Sequence, residues 1–199
     1  MSNKPFSESC VQNRAPILAV LREVFADRRN VLEIGSGTGQ HAVDFGAELP
    51  HLRWQTADVP QHHPGIQLWL DEAALPNVLP PIALDVKQTA WRRGRYDAVF
   101  SANTLHIMSW PEVEQFFAGV GAVLAPGGVL AVYGPFNTNG AFTSESNARF
   151  DAWLKARDPA SGVRDFEAVD ALARAQGLIL QQDVAMPANN RTLVWQRSA

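Results

Sequence analysis

A short apolar run that ends in a glycine-rich turn is the feature that most restricts how this chain can fold. Residues 31–34 read Val-Leu-Glu-Ile, and glycines follow at positions 35, 37 and 39. Buried parallel strands are short apolar runs, and a glycine lets the backbone approach a ligand because no Cβ intervenes. The spacing is G-x-G-x-G, with Gln40 where a dinucleotide-binding fold requires glycine or alanine. The segment predicts a strand, a ligand-binding turn and a helix, in that order.

The rest of the chain alternates in the same way. Helical spacing of apolar residues predicts a first helix with Pro16 in its first turn. Helices are predicted over 15–28, 40–49, 66–75, 112–124 and 169–176, and strands over 31–34, 52–57, 82–84, 96–101, 129–133, 178–184 and 192–195. This alternation predicts a mostly parallel sheet covered on both faces. The last two strands have no helix between them, which predicts a hairpin and an antiparallel edge strand.

Composition excludes several classes of protein. The chain has 199 residues, 46% of them hydrophobic and 19% charged, with a net charge of −3, so we expect one doubly wound α/β domain over 1–199. There is no basic excess to attract nucleic acid. The polar beginning of the chain and the lack of a long apolar stretch predict a cytoplasmic protein without membrane contact. Cys10 has no disulfide partner, and His41, His62 and His63 do not form a metal-binding pattern, so we expect no metal.

Three acids follow the predicted strands closely. Glu33 lies two positions before the first glycine, where a carboxylate repels a pyrophosphate but suits an ammonium and a sulfonium charge. Asp58 ends the second strand, where α/β domains place an acid that binds ribose hydroxyls. Asp85 follows the third strand, close to where an adenine ring would lie. Each acid alone could be a solvated strand end, but together they predict a site for a cationic nucleoside.

These segments resemble class I S-adenosylmethionine-dependent methyltransferases. The resemblance runs from about residue 31 to residue 133. It covers the glycine-rich first motif, the acid that binds the ribose, the acid beside the adenine, the fourth strand with Asn103, and the turn before the fifth strand. It implies a seven-stranded sheet with an antiparallel last strand and S-adenosylmethionine as the cofactor. The residues that it assigns to the cofactor are Glu33, Gly35, Ser36, Gly37, Thr38, Gly39, Asp58, Asp85, Val86 and Asn103, with Arg14 added by weaker analogy.

A narrower resemblance covers nearly the whole chain. Residues 10–18, 102–107, 133–136, 146–147, 150–151, 164–165 and 186–190 are together similar to the family called DUF938 or UPF0585, which includes the methyltransferase-like 26 proteins. That family is described as methyltransferase-like. The resemblance names no methyl acceptor.

Other residues are candidates for contact with the acceptor. His106 follows the fourth strand beside the expected methyl group, where it could act as a base or contact the substrate, or simply pack the loop. We also expect substrate contacts from Tyr133, Phe136 and Arg164, although Arg164 could instead form a surface ion pair. Residues 1–14 and 134–147 could fold over the site as lids.

Three functions remain open at this stage. The first is a methyltransferase for a small molecule. The lack of an excess of basic residues and the sequence Asn103-Thr104-Leu105-His106 both argue against methylation of nucleic-acid bases. The second is a non-catalytic protein that binds S-adenosylmethionine or S-adenosylhomocysteine. The third is a nicotinamide-dependent oxidoreductase, which Glu33 and the glycine spacing disfavour.

Overall fold

A seven-stranded sheet forms the centre of the computed structural model, which describes residues 4–88, 91 and 96–198. The spatial order of its strands is β3-β2-β1-β4-β5-β9-β8. The strands are β1 (Asn30–Ile34), β2 (Arg53–Asp58), β3 (Val78–Ala83), β4 (Tyr96–Ala102), β5 (Leu124–Gly134), β8 (Leu178–Met186) and β9 (Asn190–Arg197). A second, two-stranded sheet pairs β6 (Phe136–Asn137) with β7 (Arg164–Asp165).

The strand directions confirm the predicted sheet. Strands β1 to β5 pair in parallel, and β9 runs antiparallel to both β5 and β8. The predicted hairpin lies at the edge of the sheet, where β8 is the edge strand and pairs antiparallel with β9; the last strand, β9, is itself inserted between β5 and β8. Its central residues, Leu193 to Trp195, are accordingly buried.

Helices cover both faces of the sheet. They are α1 (Glu8–Val24), α2 (Gln40–Glu48), α3 (His63–Ala73), α4 (Trp110–Val123), α5 (Glu145–Arg157) and α6 (Phe166–Ala175). Buried residues of α1, α2 and α3, such as Ile17, Phe45 and Ile66, pack in one apolar cluster. Buried residues of α4 and α6, such as Phe116 and Val169, belong to a second cluster. The doubly wound arrangement follows from these two apolar layers.

Three elements differ from the sequence prediction. Helix α1 begins at Glu8, so Pro16 lies in its interior and not in its first turn. Helix α5 was not predicted, because its sequence is mostly polar and lacks a regular apolar face. The segment 134–147 is not one free loop: Phe136 and Asn137 pair with β7, and its last three residues begin α5. Residues 1–3 of the predicted N-terminal lid lie outside the described residues.

Candidate functional site

The glycine turn opens into a cavity of about 440 Å³ at the carboxyl ends of β1 to β4. Open α/β sheets bind their ligands at this edge. The turn contributes Gly35, Ser36, Gly37 and Thr38 to the wall. The other predicted cofactor residues in the wall are Asp58, Asp85, Val86 and Asn103. The structure therefore brings most of the predicted cofactor set to a single cavity.

The three glycines of the turn serve different purposes. A Cβ on Gly35 would lie 2.5 Å from the side chain of Thr104, and one on Gly39 would lie 3.1 Å from the Cα of Ile66. These two glycines therefore permit close packing within the protein. Gly37 has φ +58°, and a Cβ on it would have no atom within 4 Å, so its backbone faces open space in the cavity. Gly37 is the residue that keeps room for a ligand.

The carboxylate of Asp58 already accepts three hydrogen bonds from donors of its own chain. Its Oδ2 accepts from the backbone N–H of Gly37 at 2.7 Å, and its Oδ1 accepts from the N–H of Val59 at 2.7 Å. The imidazole Nδ1 of His62 donates to the same Oδ1 at 2.8 Å. A carboxylate offers about four acceptor positions, so one position on Asp58 remains. The side chain of His62 is exposed enough to move away, which would leave a second position. Asp58 is thus held rigidly in the cavity wall.

An ion pair crosses the wall of the cavity near the end of β3. Lys87 Nζ lies 3.0 Å from Oε1 of Glu112, and Glu112 also accepts from the N–H of Ser109 at the start of α4. The hydrogen bonds from Ser109, followed by the pairing with Lys87, lower the pKa of Glu112, and the same pairing raises the pKa of Lys87. Asp85 accepts the backbone N–H of Lys87 at 3.0 Å and stays partly exposed. Asp58 and Asp85 together leave this cavity with an excess of negative charge.

Glu33 lies beneath the cavity and is absent from its lining, unlike the sequence prediction. Its Oε2 accepts from the indole Nε1 of Trp54 at 3.1 Å and from Oγ of Ser36 at 2.9 Å. Burial raises its pKa to about 7. Near neutral pH the side chain is therefore only partly ionised, and Ser36 lies between it and the cavity.

The N-terminus of α1 forms part of the cavity wall, and it belongs to the segment 1–14 that the sequence offered as a lid. The backbone N–H of Ser7 donates to Oε1 of Gln40 at 2.6 Å, and Nε2 of Gln40 donates back to the carbonyl of Ser7 at 3.3 Å. Ser9 and Cys10, one turn further along, line the cavity. Gln40 departs from the dinucleotide-binding pattern. Its two hydrogen bonds with Ser7 hold the N-terminus of α1 next to the glycine turn.

A second cavity of about 420 Å³ adjoins the first. Ser9 and Asn103 belong to the walls of both cavities. Asn103 adopts a left-handed backbone with φ +58°, and its N–H donates to the carbonyl of Tyr133 at 2.9 Å. Tyr133, predicted as a substrate contact, lines the second cavity. The two cavities therefore meet at Asn103, at the end of β4.

The structure does not bring His106 to the wall of either cavity. Its side chain is buried, and its ring packs edge-on against Phe150 at 5.2 Å. Burial, together with the charge of Arg164, lowers its pKa to about 4. An imidazole with so low a pKa is a weak base at neutral pH. Its position supports a role in holding Phe150, which does line the second cavity.

Three other predicted contacts lie away from both cavities. The guanidinium of Arg164 donates to the carbonyls of Leu105, Met108 and Ala160, so it fastens the loop after β4. Phe136 is buried in the second apolar cluster. Arg14 lies 3.3 Å from the carboxylate of Asp44 on the outer side of α1 and α2. These residues hold the structure of the site and do not line it.

Two further findings concern the described part of the chain. Within it, no group of three or more His, Cys, Asp and Glu side chains is arranged to hold a metal ion. Among the same residues, no helix combines the length and the apolar character needed to cross a bilayer.

The sheet order, the antiparallel β9 and the cavity at the glycine turn define a Rossmann-like methyltransferase fold. Residues 4–197 match the model of a family described as "Protein of unknown function (DUF938)". The chain belongs to the DUF938 family.

Several solved structures with the same fold are named as methyltransferases. An O-methyltransferase family protein from Burkholderia thailandensis has a TM-score of 0.85 and 19% identity, over 96% of this chain and 58% of that one. The S-adenosylmethionine-dependent methyltransferase SibL has a TM-score of 0.81 and 21% identity, over 96% and 56%. An O-methyltransferase family 2 protein from Planctomyces limnophilus, in complex with apigenin, has a TM-score of 0.74 and 14% identity, over 92% and 61%. This chain spans a little over half the length of each.

Proposed function

We propose that this chain is an S-adenosylmethionine-dependent methyltransferase that acts on a small-molecule acceptor. The observation that carries the proposal is the pair of adjoining cavities that meet at Asn103. The first cavity carries the glycine turn and three acids, one of them paired with Lys87, and the second has room for a separate molecule. Methyl transfer requires this arrangement, because donor and acceptor must lie in line within one site.

The residues of the first cavity fit the proposed cofactor. Gly37 provides backbone without a side chain, and the remaining acceptor position of Asp58 suits a ribose hydroxyl. The negative excess from Asp58 and Asp85 favours a cationic ligand, and Glu33 adds to it when ionised. When bound, the sulfonium cofactor supplies an electrophilic methyl group together with its own leaving group. The protein then has to align the acceptor and exclude water.

Related structures support the same proposal. SibL is named as S-adenosylmethionine-dependent, and the protein from Planctomyces limnophilus was solved with the small molecule apigenin. The net charge of −3 and the uncharged lining of the second cavity agree better with a small-molecule acceptor than with nucleic acid.

Calorimetric titration with S-adenosylmethionine, S-adenosylhomocysteine and NAD tests the cofactor. We expect both sulfur nucleosides to bind and NAD not to bind. Gly37→Val places a side chain in the open space of the cavity and should abolish binding. Gly127→Val is the matched control, because Gly127 also has a positive φ and open space around it but lies outside the cavity. Equal loss in the two variants would show that backbone strain, and not the ligand site, explains the effect.

Transfer of a radiolabelled methyl group to compounds in a metabolite extract tests catalysis. We expect label in a small-molecule fraction, and none with Gly37→Val. Binding of the sulfur nucleosides without label transfer would favour a sensor or partner subunit. Binding of NAD alone would contradict the proposed cofactor.

A further inference from the structure

The second cavity has a largely apolar wall, and the polar groups in it carry no charge. Its wall includes five carboxamides, three hydroxyls and the ring of Phe150. Among the described residues, no Asp, Glu, Lys, Arg or His side chain belongs to its lining. The carboxamides are those of Gln12, Asn13, Asn103, Asn147 and Asn190.

This lining contrasts with that of the first cavity. There, Asp58, Asp85, Lys87 and Glu112 place charges in the wall. A charged group that enters the second cavity loses hydration and finds no opposite charge in the described wall, which costs free energy.

Asn147 and Asn190 already donate from Nδ2 to oxygens of the chain. An uncharged polar molecule therefore exchanges its water mainly for hydrogen bonds to the other carboxamides, which offer a donor and an acceptor side by side. The second cavity is therefore suited to uncharged molecules.

Over the residues that the structure describes, the second cavity also lacks a group that could remove a proton near neutral pH. Burial raises the pKa of the Tyr133 phenol, although hydrogen bonds with Asn13 and Asn190 oppose that rise. His106 is buried behind Phe150 and outside the lining, and its pKa is lowered to about 4. A nucleophile that must lose a proton before it attacks would therefore find no base in this wall.

Two parts of the wall are held in fixed positions by residues behind them. The neutral imidazole of His41 donates from Nε2 to Oδ1 of Asn13 at 2.7 Å, which fixes the orientation of that carboxamide. Phe150 is held between the ring of His106 at 5.2 Å and that of Trp153 at 5.8 Å. A rigid aromatic surface beside oriented carboxamides suits a planar, polar ring.

We infer that the acceptor is an uncharged nitrogen heterocycle that is methylated on a ring nitrogen; this inference rests on the proposed function. The nitrogen lone pair forms the new bond to the methyl carbon, and the carbon–sulfur bond breaks with its electron pair moving to sulfur. The sulfonium becomes a neutral thioether, and the heterocycle becomes an N-methyl cation. No proton moves in this step, in agreement with a described wall that contains no base.

Nicotinamide and nicotinate are a matched pair of probes for the test. They share a ring and its nitrogen, and differ in carrying a carboxamide or a carboxylate. Ligand-detected NMR should show nicotinamide binding at least tenfold more tightly than nicotinate, both with S-adenosylhomocysteine bound and with the cofactor-free protein. Equal affinity for the two probes, or failure of both to bind, would overturn the inference even where the sulfur nucleosides bind. Failure of the sulfur nucleosides alone would overturn the proposed function.

A variant of the wall tests the role of charge. Gln12 is exposed, so Gln12→Glu adds a carboxylate with little effect on folding. It should weaken nicotinate and strengthen the cation 1-methylnicotinamide by about threefold each. Gln181→Glu makes the same change on β8, outside the cavity, and should alter neither affinity. Identical effects of the two variants would contradict a local role of the uncharged wall.

The nucleophile is tested separately with 4-hydroxybenzamide, which is uncharged but must lose a proton to be methylated on oxygen. We expect methylation of nicotinamide on its ring nitrogen and none of the hydroxyl compound at pH 7. Faster methylation of the hydroxyl compound would show that a base acts in this cavity, and would overturn the assignment to nitrogen.

Discussion

The indole of Trp54 donates a hydrogen bond of 3.1 Å to Oε2 of Glu33, on the side of Glu33 that faces the core. The acid before the glycine turn is therefore part of the packed sheet, and its charge is costly there. Burial accordingly raises its pKa to about 7. If the proposed cationic cofactor binds above it, Glu33 contributes attraction to that ligand at the expense of the stability of the fold.

Glu33→Gln tests this trade directly. The amide keeps the shape and removes the buried charge, so we expect the free energy of unfolding at pH 8 to rise by about 1–3 kcal/mol. Affinity for S-adenosylmethionine should fall about tenfold because one attractive charge is lost. Denaturant unfolding and calorimetry measure the two effects. The uncharged ligand 5′-methylthioadenosine is the control, and an equal loss of its affinity would contradict the electrostatic role.

Asp58→Asn is expected to weaken all ligands that carry the ribose. An amide cannot accept as many hydrogen bonds as a carboxylate, and it leaves the N–H of Gly37 or that of Val59 less well satisfied. We predict a loss of about 1–3 kcal/mol in the binding of S-adenosylhomocysteine, measured by calorimetry. The wild type should bind the 2′-deoxy analogue more weakly, whereas the variant should not discriminate between them. His62→Ala, which frees one acceptor position on Asp58, should keep its affinity; a comparable loss would argue against a direct ribose contact.

Much of the fold could be predicted from the sequence because the signals were local. The apolar run at residues 31–34, the glycines after it and the acids at positions 58 and 85 lie where each strand ends, so their meeting at one edge followed from parallel pairing. The seven strands and the antiparallel β9 were predicted for the same reason. The position of β9 inside the sheet was not, because sequence adjacency to β8 does not reveal its pairing with β5.

The parts that were missed depend on contacts between distant residues. Ser7 and Gln40 are 33 positions apart, and the sequence did not reveal the two hydrogen bonds between them, although it offered residues 1–14 as a lid. Asn147 donates to the carbonyl of Asn189, 42 positions away, and so attaches α5 to the turn after β8. Arg164 was expected to contact the substrate or to form a surface ion pair, but its three carbonyl partners become visible only in three dimensions.

Replacement of His106 should leave the proposed catalysis largely intact. The residue supports Phe150 from behind, so His106→Asn is expected to raise KM for the acceptor and to lower kcat less than tenfold. The dependence of the rate on pH between 6 and 8 should be unchanged, because an imidazole with a pKa of about 4 does not titrate there. A larger loss of kcat, together with the disappearance of a pH-dependent step, would restore His106 as the base.

The same buried groups should make stability depend on pH. The pKa values of His41 and His106 are lowered to about 4 by burial, from an ordinary value near 6.5. Between these values the unfolded chain holds more protons, so stability is lost as the pH falls from 6.5 towards 4. Glu33 acts in the opposite direction, because its raised pKa means that the folded chain holds a proton which the unfolded chain has released.

Two histidines outweigh one glutamate, so the free energy of unfolding should fall on acidification from pH 6.5 to 5, by about 1 kcal/mol per pH unit from these groups. In Glu33→Gln the opposing contribution is gone, and the slope should become steeper by about a further 1 kcal/mol per pH unit. Urea unfolding at a series of pH values measures both slopes. Identical slopes in the wild type and the variant would mean that Glu33 is ionised throughout this range, and that its burial does not hold the proton as inferred.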